Sequence, residues 1–197
     1  DRVSGEHVAL KVLLDPEGTE RFAREARLLA ELRHPSIVRY VAHGETVEGE
    51  TYIAMEWLEG ETLSARLKRE PLSARESLAL VMGVAEALAI AHERGIVHRD
   101  VKPANLLLVE GRLERVKVLD FGIAHLSSAT AVVTRTGAVL GTLGYMAPEQ
   151  ARGERNPSVR ADVFSLGCVL FHCLTGRPAF AGAAPVAVLA KLILEEA

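Results

Sequence analysis

The stretch Val97-His98-Arg99-Asp100-Val101-Lys102-Pro103-Ala104-Asn105-Leu106-Leu107-Leu108, followed by Leu119-Asp120-Phe121-Gly122, decides the reading of this chain. Between two apolar runs it sets an acid (Asp100), a cation (Lys102), an amide (Asn105) and a second acid (Asp120). Charged groups held against apolar surroundings are costly unless they are paired or used. The segment is therefore expensive as mere scaffolding and reads as a site.

Upstream, Val8, Leu10 and Val12 alternate with Ala9, Lys11 and Leu13, the period of a strand, which sets Lys11 among apolar neighbours. Phe22, Ala26, Leu29 and Leu32 recur at helical spacing and stop before His34-Pro35, with Glu25 beside that stripe. Ile37 to Val41 and Thr51 to Met55 read as two strands around a turn containing Gly49, and Trp57-Leu58-Glu59-Gly60 reads as a linker. The pattern then turns helical. Leu78, Val81, Met82, Ala85, Leu88 and Ala89 predict an amphipathic helix over Ser77 to His92 that ends at Gly95. A second helix, from about Asp162 to Leu174, is apolar nearly all round and is expected to run through the core. A strand-rich part joined by a short linker to a helical part is an α+β architecture with a cleft between two lobes. Clefts of that kind hold ligands.

Composition limits the alternatives. With 197 residues, 49% of them hydrophobic and 25% charged, the chain can bury a sizeable core as one bilobed domain. The formal net charge of -3 gives no basic footprint, so no nucleic acid partner is expected, whereas a phosphorylated small molecule fits. Cys168 and Cys173, the only thiols, share one apolar stretch without metal-ligand spacing and read as buried and reduced. No apolar run approaches the roughly 18 residues of a membrane span, and Asp1-Arg2-Val3 does not read as a signal peptide. The expectation is a cytoplasmic setting with no membrane segment in this stretch, an anchor elsewhere in the parent being compatible.

The motifs quoted above, with Val8-Ala9-Leu10-Lys11 before them and Ala147-Pro148-Glu149 after them, stand in the order and at the spacings that mark the protein kinases. The chain resembles a serine/threonine protein kinase catalytic domain of the bacterial eukaryotic-like group. That resemblance runs from Val8 to about Phe180. It implies a two-lobed protein-kinase-like fold, with an incomplete small β-rich lobe over residues 1–58 and a mostly helical large lobe over 59–197. It also implies ATP and Mg²⁺ as cofactors and proteins as substrates.

The resemblance distributes the roles residue by residue. Lys11 is similar to the strand lysine that neutralises nucleotide phosphates, and Glu25 to its helical partner; a surface pair of Glu25 with Arg21 is the alternative. Asp100 is expected to be the catalytic base and Lys102 a second contact to the transferring phosphate. Asn105 and Asp120 offer the hard oxygens that Mg²⁺ prefers. Leu107 resembles the floor of the adenine pocket and Ala9 its roof. Glu56 and Leu58 match the linker positions whose backbone meets the adenine edge, with Met55 as gatekeeper behind them. His98, Phe121, Leu29 and Tyr40 match an apolar column linking the lobes, and Asp162 matches a helical aspartate that anchors the catalytic loop.

The stretch from Ser127 to Leu140 resembles an activation loop, in which Thr134 and Thr136 match autophosphorylation sites. Arg99 carries a cation unbalanced by anything local except acids needed elsewhere, which suits a phosphothreonine. Thr142 is similar to the threonine that bonds the catalytic acid and lysine. Dimerisation of the parent for autophosphorylation is compatible with these assignments.

The pattern breaks in two places. No G-x-G-x-x-G precedes Lys11, so the expectation is a domain truncated at both ends that binds ATP poorly and transfers phosphate slowly or not at all, the parent being active. No arginine follows Arg177, so Glu149 is expected to be loosened, solvated or paired with Arg152. Two rivals stand beside the kinase reading. A pseudokinase or scaffold module is disfavoured by the presence of Lys11, Asp100, Asn105 and Asp120. A small-molecule phosphotransferase is disfavoured by the stretch Gly141 to Glu149, which resembles a peptide-substrate platform.

Overall fold

The structure is a computed structural model that describes residues 5–13, 29–121, 143–154, 158–182 and 184–194. Three strands, β1 (Val8–Leu13), β2 (Tyr40–Glu45) and β3 (Thr51–Glu56), make an antiparallel sheet in the order β1-β3-β2. Lys11 lies opposite Ile53 on β3. Ala9 and Lys11 are half-buried while Leu10 is 63% exposed, so the pleat turns the lysine's face inward. The β2–β3 turn closes through a bond from Gly49 N–H to Thr46 O, with Gly49 at φ 81° where a side chain would be strained.

Strand β2 starts at Tyr40, three residues later than the expected start at Ile37. Ile37 instead forms a parallel bridge with Val118, and Val38 N–H and Ser36 O both bond Val118. The backbone of 36–38 is thus committed to the other half of the molecule before β2 begins.

Beyond the connection at 57–59 come β4 (Gly60–Thr62), α1 (Leu63–Leu67), α2 (Ala74–Glu93), β5 (Leu106–Val109), β6 (Val116–Val118), α3 (Pro148–Ala151), α4 (Val159–Thr175) and α5 (Pro185–Leu194). Strands β4-β5-β6 form a second antiparallel sheet. Helix α2 starts on a reciprocal cap, in which Ser73 Oγ accepts from Glu76 N–H and Glu76 Oε2 accepts from Ser73 N–H at 2.8 Å.

The buried stripe of α2 differs from the expected one. Ser77, Leu80, Val84, Ala87, Leu88 and Ala91 are buried, while Leu78 is 54% and Met82 61% exposed. The helix is rich in alanine all round, so two stripes compete; the one that carries Leu80 and Val84 packs on β6 and α4, its neighbours in the fold. Helix α4 likewise buries one side, through Ala161, Asp162, Ser165, Cys168 and Val169, and leaves Val163 65% exposed among the described residues.

One continuous core runs through both lobes and contains Leu29, Tyr40, Val118, Phe121, Val84 and Val169. Cys168 and Cys173 are buried and free, and desolvation pushes both thiols up to about 11.

Candidate functional site

The segment 97–105 is held by its backbone. Asp162 on α4 is fully buried and accepts three hydrogen bonds: from His98 N–H at 2.8 Å, from Arg99 N–H at 2.8 Å and from His92 Nε2 at 2.7 Å. Because His98 Nε2 meets the carbonyl of Leu119 at 2.8 Å it must carry the proton, which leaves Nδ1 to accept from Asp100 N–H at 3.2 Å. Burial holds the His98 imidazole below its ordinary range, against the raising pull of Asp162, so the neutral tautomer this network needs is the one favoured.

This frame presents the polar side chains at the seam. Lys102 Nζ lies 2.8 Å from Asp100 Oδ2, both side chains partly buried. Asn105 donates from Nδ2 to the Asp100 carbonyl at 2.8 Å and to Asp100 Oδ2 at 2.9 Å, while Leu119 N–H bonds the Asn105 carbonyl at 2.9 Å. Asp120, at φ 50°, follows Leu119 and meets Lys11 Nζ of the small lobe at 2.8 Å. The sequence-predicted acids, lysines and amide are therefore brought together.

A Mg²⁺ ion can be tested against these groups. Asn105 spends its amide nitrogen on Asp100, which leaves the carbonyl oxygen as the free end, and Lys11 takes only one oxygen of Asp120. No group of three or more His, Cys, Asp or Glu suited to a metal occurs among the described residues. The donor set fits a hard cation whose remaining ligands are phosphate oxygens and water, not an all-protein cage.

Leu107 is half-buried between Leu106 and Leu108, which are fully buried, as a surface lining a cleft requires. Ala9, Met55 and Leu58 are also half-buried. Leu29, Tyr40 and Phe121 belong to one core cluster, and the buried His98 ring lies 4.7 Å from that of Phe121.

Some features were not legible beforehand. Glu56 Oε1 accepts from Arg39 N–H at 2.8 Å and from Lys117 Nζ at 2.5 Å, which ties the end of β3 to β6. The only signal for Lys117 is a lysine interrupting an apolar strand. Tyr145 OH meets His172 Nδ1 at 2.6 Å and Gln150 reaches the Arg99 carbonyl, with no sequence signal for either. Glu149 is half-buried and so in reach of solvent, one of the three outcomes expected for it, and the pair with Arg152 does not form among the described residues. Glu25, Thr134, Thr136, Thr142 and Gly122 lie outside the described residues.

A small sheet and a mostly helical body, joined at 57–59 and stitched by 36–38, form a two-lobed kinase-like architecture. Residues 1–195 match the protein kinase domain, and the chain belongs to that family. It is 43% identical over 201 residues to serine/threonine-protein kinase PknB of Mycobacterium leprae, covering 96% of this chain and 31% of that protein. A probable serine/threonine-protein kinase of Streptomyces coelicolor is 42% identical over 202 residues, covering 98% of this chain and 30% of its own length. The crystal structure of Rad53 in complex with AMP-PNP superposes with a TM-score of 0.75 at 28% identity, over 94% of this chain and 45% of that one. The chain thus spans about a third of the length of the curated relatives it matches.

Proposed function

We propose that this chain carries the catalytic machinery of a serine/threonine protein kinase, which moves the γ-phosphoryl group of ATP to serine and threonine hydroxyls of proteins. The carrying observation is the meeting of five groups from both lobes at one seam: Lys11 on Asp120, and Lys102 with Asn105 on Asp100. Relatives named serine/threonine kinases, and the nucleotide analogue bound to Rad53, support the choice of chemistry.

In this reading Asp100 accepts the hydrogen bond of the substrate hydroxyl and aligns it for in-line attack. Asn105 and Lys102 both hold Oδ2 of Asp100, so its orientation is fixed before a substrate arrives. Lys102 and Lys11 place cations where the transferring phosphate gains charge, with Glu25 as the partner of Lys11 when the nucleotide is in place. Asn105 and Asp120 are the residues that would hold Mg²⁺, which would supply neutralisation of phosphate charge. Ala9 and Leu107 sandwich the adenine, and the backbone at Glu56 and Leu58, backed by Met55, reads its edge. Residues 1–58 serve as the small lobe and 59–197 as the large one. Regulation falls to Arg99, which takes phosphorylated Thr134 or Thr136, while Thr142 joins Asp100 and Lys102.

Mass spectrometry of the full-length protein after incubation with Mg²⁺ and ATP tests this. Phosphate on Thr134 or Thr136 that is lost in Asp100→Asn is the expected result. Unmodified threonines in wild type, with a small metabolite phosphorylated instead, overturn it.

A further inference from the structure

Arg99 sits immediately before Asp100 with φ 68°, a left-handed conformation that residues other than glycine adopt only under restraint. Its two backbone polar groups are both held by side chains distant in sequence. The N–H is bonded by Asp162, as described above, and the carbonyl accepts from Gln150 Nε2 at 2.8 Å. The other end of the same amide is also occupied, because Gln150 Oε1 accepts from Ala147 N–H at 3.1 Å.

Gln150 therefore bridges two pieces of backbone. One is the loop that presents Asp100. The other is the segment 143–147, which is itself fixed to α4: Ser165 Oγ donates to the Tyr145 carbonyl at 2.7 Å, and Tyr145 OH bonds His172 Nδ1. Gly144 abuts the Phe180 carbonyl so closely that a Cβ there would stand 2.6 Å from it, so the segment has little room to slide. The link needs a donor toward Arg99 and an acceptor toward Ala147, and the side-chain amide supplies both where an ionised carboxylate of the same shape can only accept.

We propose that Gln150 is a positioning residue for phosphoryl transfer, holding the Arg99–Asp100 peptide in its left-handed turn and locking it to the segment that faces the protein substrate. The proposal rests on the kinase reading given above for the role of Asp100. It acts through backbone geometry and touches neither nucleotide nor metal, so its loss lowers kcat and spares nucleotide binding.

The discriminating variant is Gln150→Glu in the full-length protein. It keeps the side chain's shape and the acceptor for Ala147 N–H but sets a carboxylate oxygen against the Arg99 carbonyl. The expected result is a fall in kcat on the order of tenfold or more, with KM for ATP changed less than about twofold. Amide hydrogen exchange should also quicken at Arg99 and Asp100, while exchange in α2 stays as in wild type. Gln150→Leu, which loses both bonds, should resemble Gln150→Glu in kcat. A Gln150→Glu protein with wild-type kcat and wild-type exchange at Arg99 and Asp100 overturns the proposal, since a residue that merely caps residues 147–150 would tolerate that change. A wild-type protein that transfers no phosphate refutes the kinase reading instead, and the exchange of those two amides then decides whether Gln150 anchors the loop.

Discussion

Replacing Asp162 by asparagine isolates what holds the catalytic loop together. The carboxylate accepts from Arg99 N–H on one oxygen and from His98 N–H and His92 on the other, at zero exposure. Asparagine has nearly the same shape and one acceptor oxygen. If that oxygen takes the place facing His98 and His92, the NH₂ group confronts Arg99 N–H, and a charge-assisted bond worth about 1.5–3 kcal/mol is lost. Asp162→Ala leaves the backbone N–H groups of His98 and Arg99 without their acceptor, at about 1–3 kcal/mol each, and turns the partly exposed His92 ring over to water. Urea unfolding followed by circular dichroism measures both. With a slope of about 2 kcal/mol per molar, Asp162→Asn should lower the midpoint by roughly 1 M, and Asp162→Ala by up to about 3 M, the slope unchanged. A midpoint for Asp162→Ala within about 0.2 M of wild type would show that water replaces the carboxylate at no cost, and the anchoring argument would fail.

Two further outcomes follow from single positions. His98 is buried with its imidazole held below the ordinary value of 6.5, so the unfolded chain binds a proton that the folded one refuses; stability is complete above about pH 6.5 and is lost as pH falls through the window beneath it, by up to ~1.4 kcal/mol per pH unit. Melting temperatures between pH 7.5 and 5.5 should fall more steeply for wild type than for His98→Phe, and parallel curves would contradict the assignment. At Gly60, an added Cβ would lie 2.1 Å from the Leu108 carbonyl in the paired strand, so Gly60→Ala must push β4 from β5, at about 1–3 kcal/mol; an unchanged melting temperature would mean that the strands part freely there.

The elements were legible where side-chain chemistry is dictated by one neighbour at a time. Alternation placed β1 and turned Lys11 inward, and punctuation at Gly95 ended α2 within two residues of Glu93. The acids and lysines of the site were legible because their types and spacings leave few other uses. The failures share a cause. Leu78 and Met82 look as apolar as Leu80 and Val84, and only the docking of α2 onto β6 and α4 selects between the two faces. The start of β2 moved because 36–38 pairs with Val118, some eighty residues on. Gln150, Lys117 and His172 act through partners between 27 and 61 residues away, and no local pattern encodes such a bond.

Strain sharpens the same point. Three residues other than glycine adopt positive φ among those described: Arg99, Glu110 and Asp120. Glu110 has an ordinary reason. With Gly111 at φ 70° it forms a two-residue turn closed by Arg112 N–H on the Val109 carbonyl, a geometry that requires positive φ at both central positions. Among the described residues no such turn accompanies Arg99 or Asp120, and each such conformation costs about 1–3 kcal/mol. Arg99 flanks Asp100 and Asp120 is itself assigned to chemistry, and both are over-determined. Arg99 is bonded at N–H and carbonyl, and Asp120 is held by Lys11 while its neighbours Leu119 and Phe121 are locked onto Asn105 and His98. A loop free to relax would abandon these angles, so the bonds from Asp162 and Gln150 are what keep Asp100 aimed. The fold stabilises the site by binding its backbone, and leaves the side chains of Lys11, Asp100, Lys102 and Asp120 partly exposed at the seam.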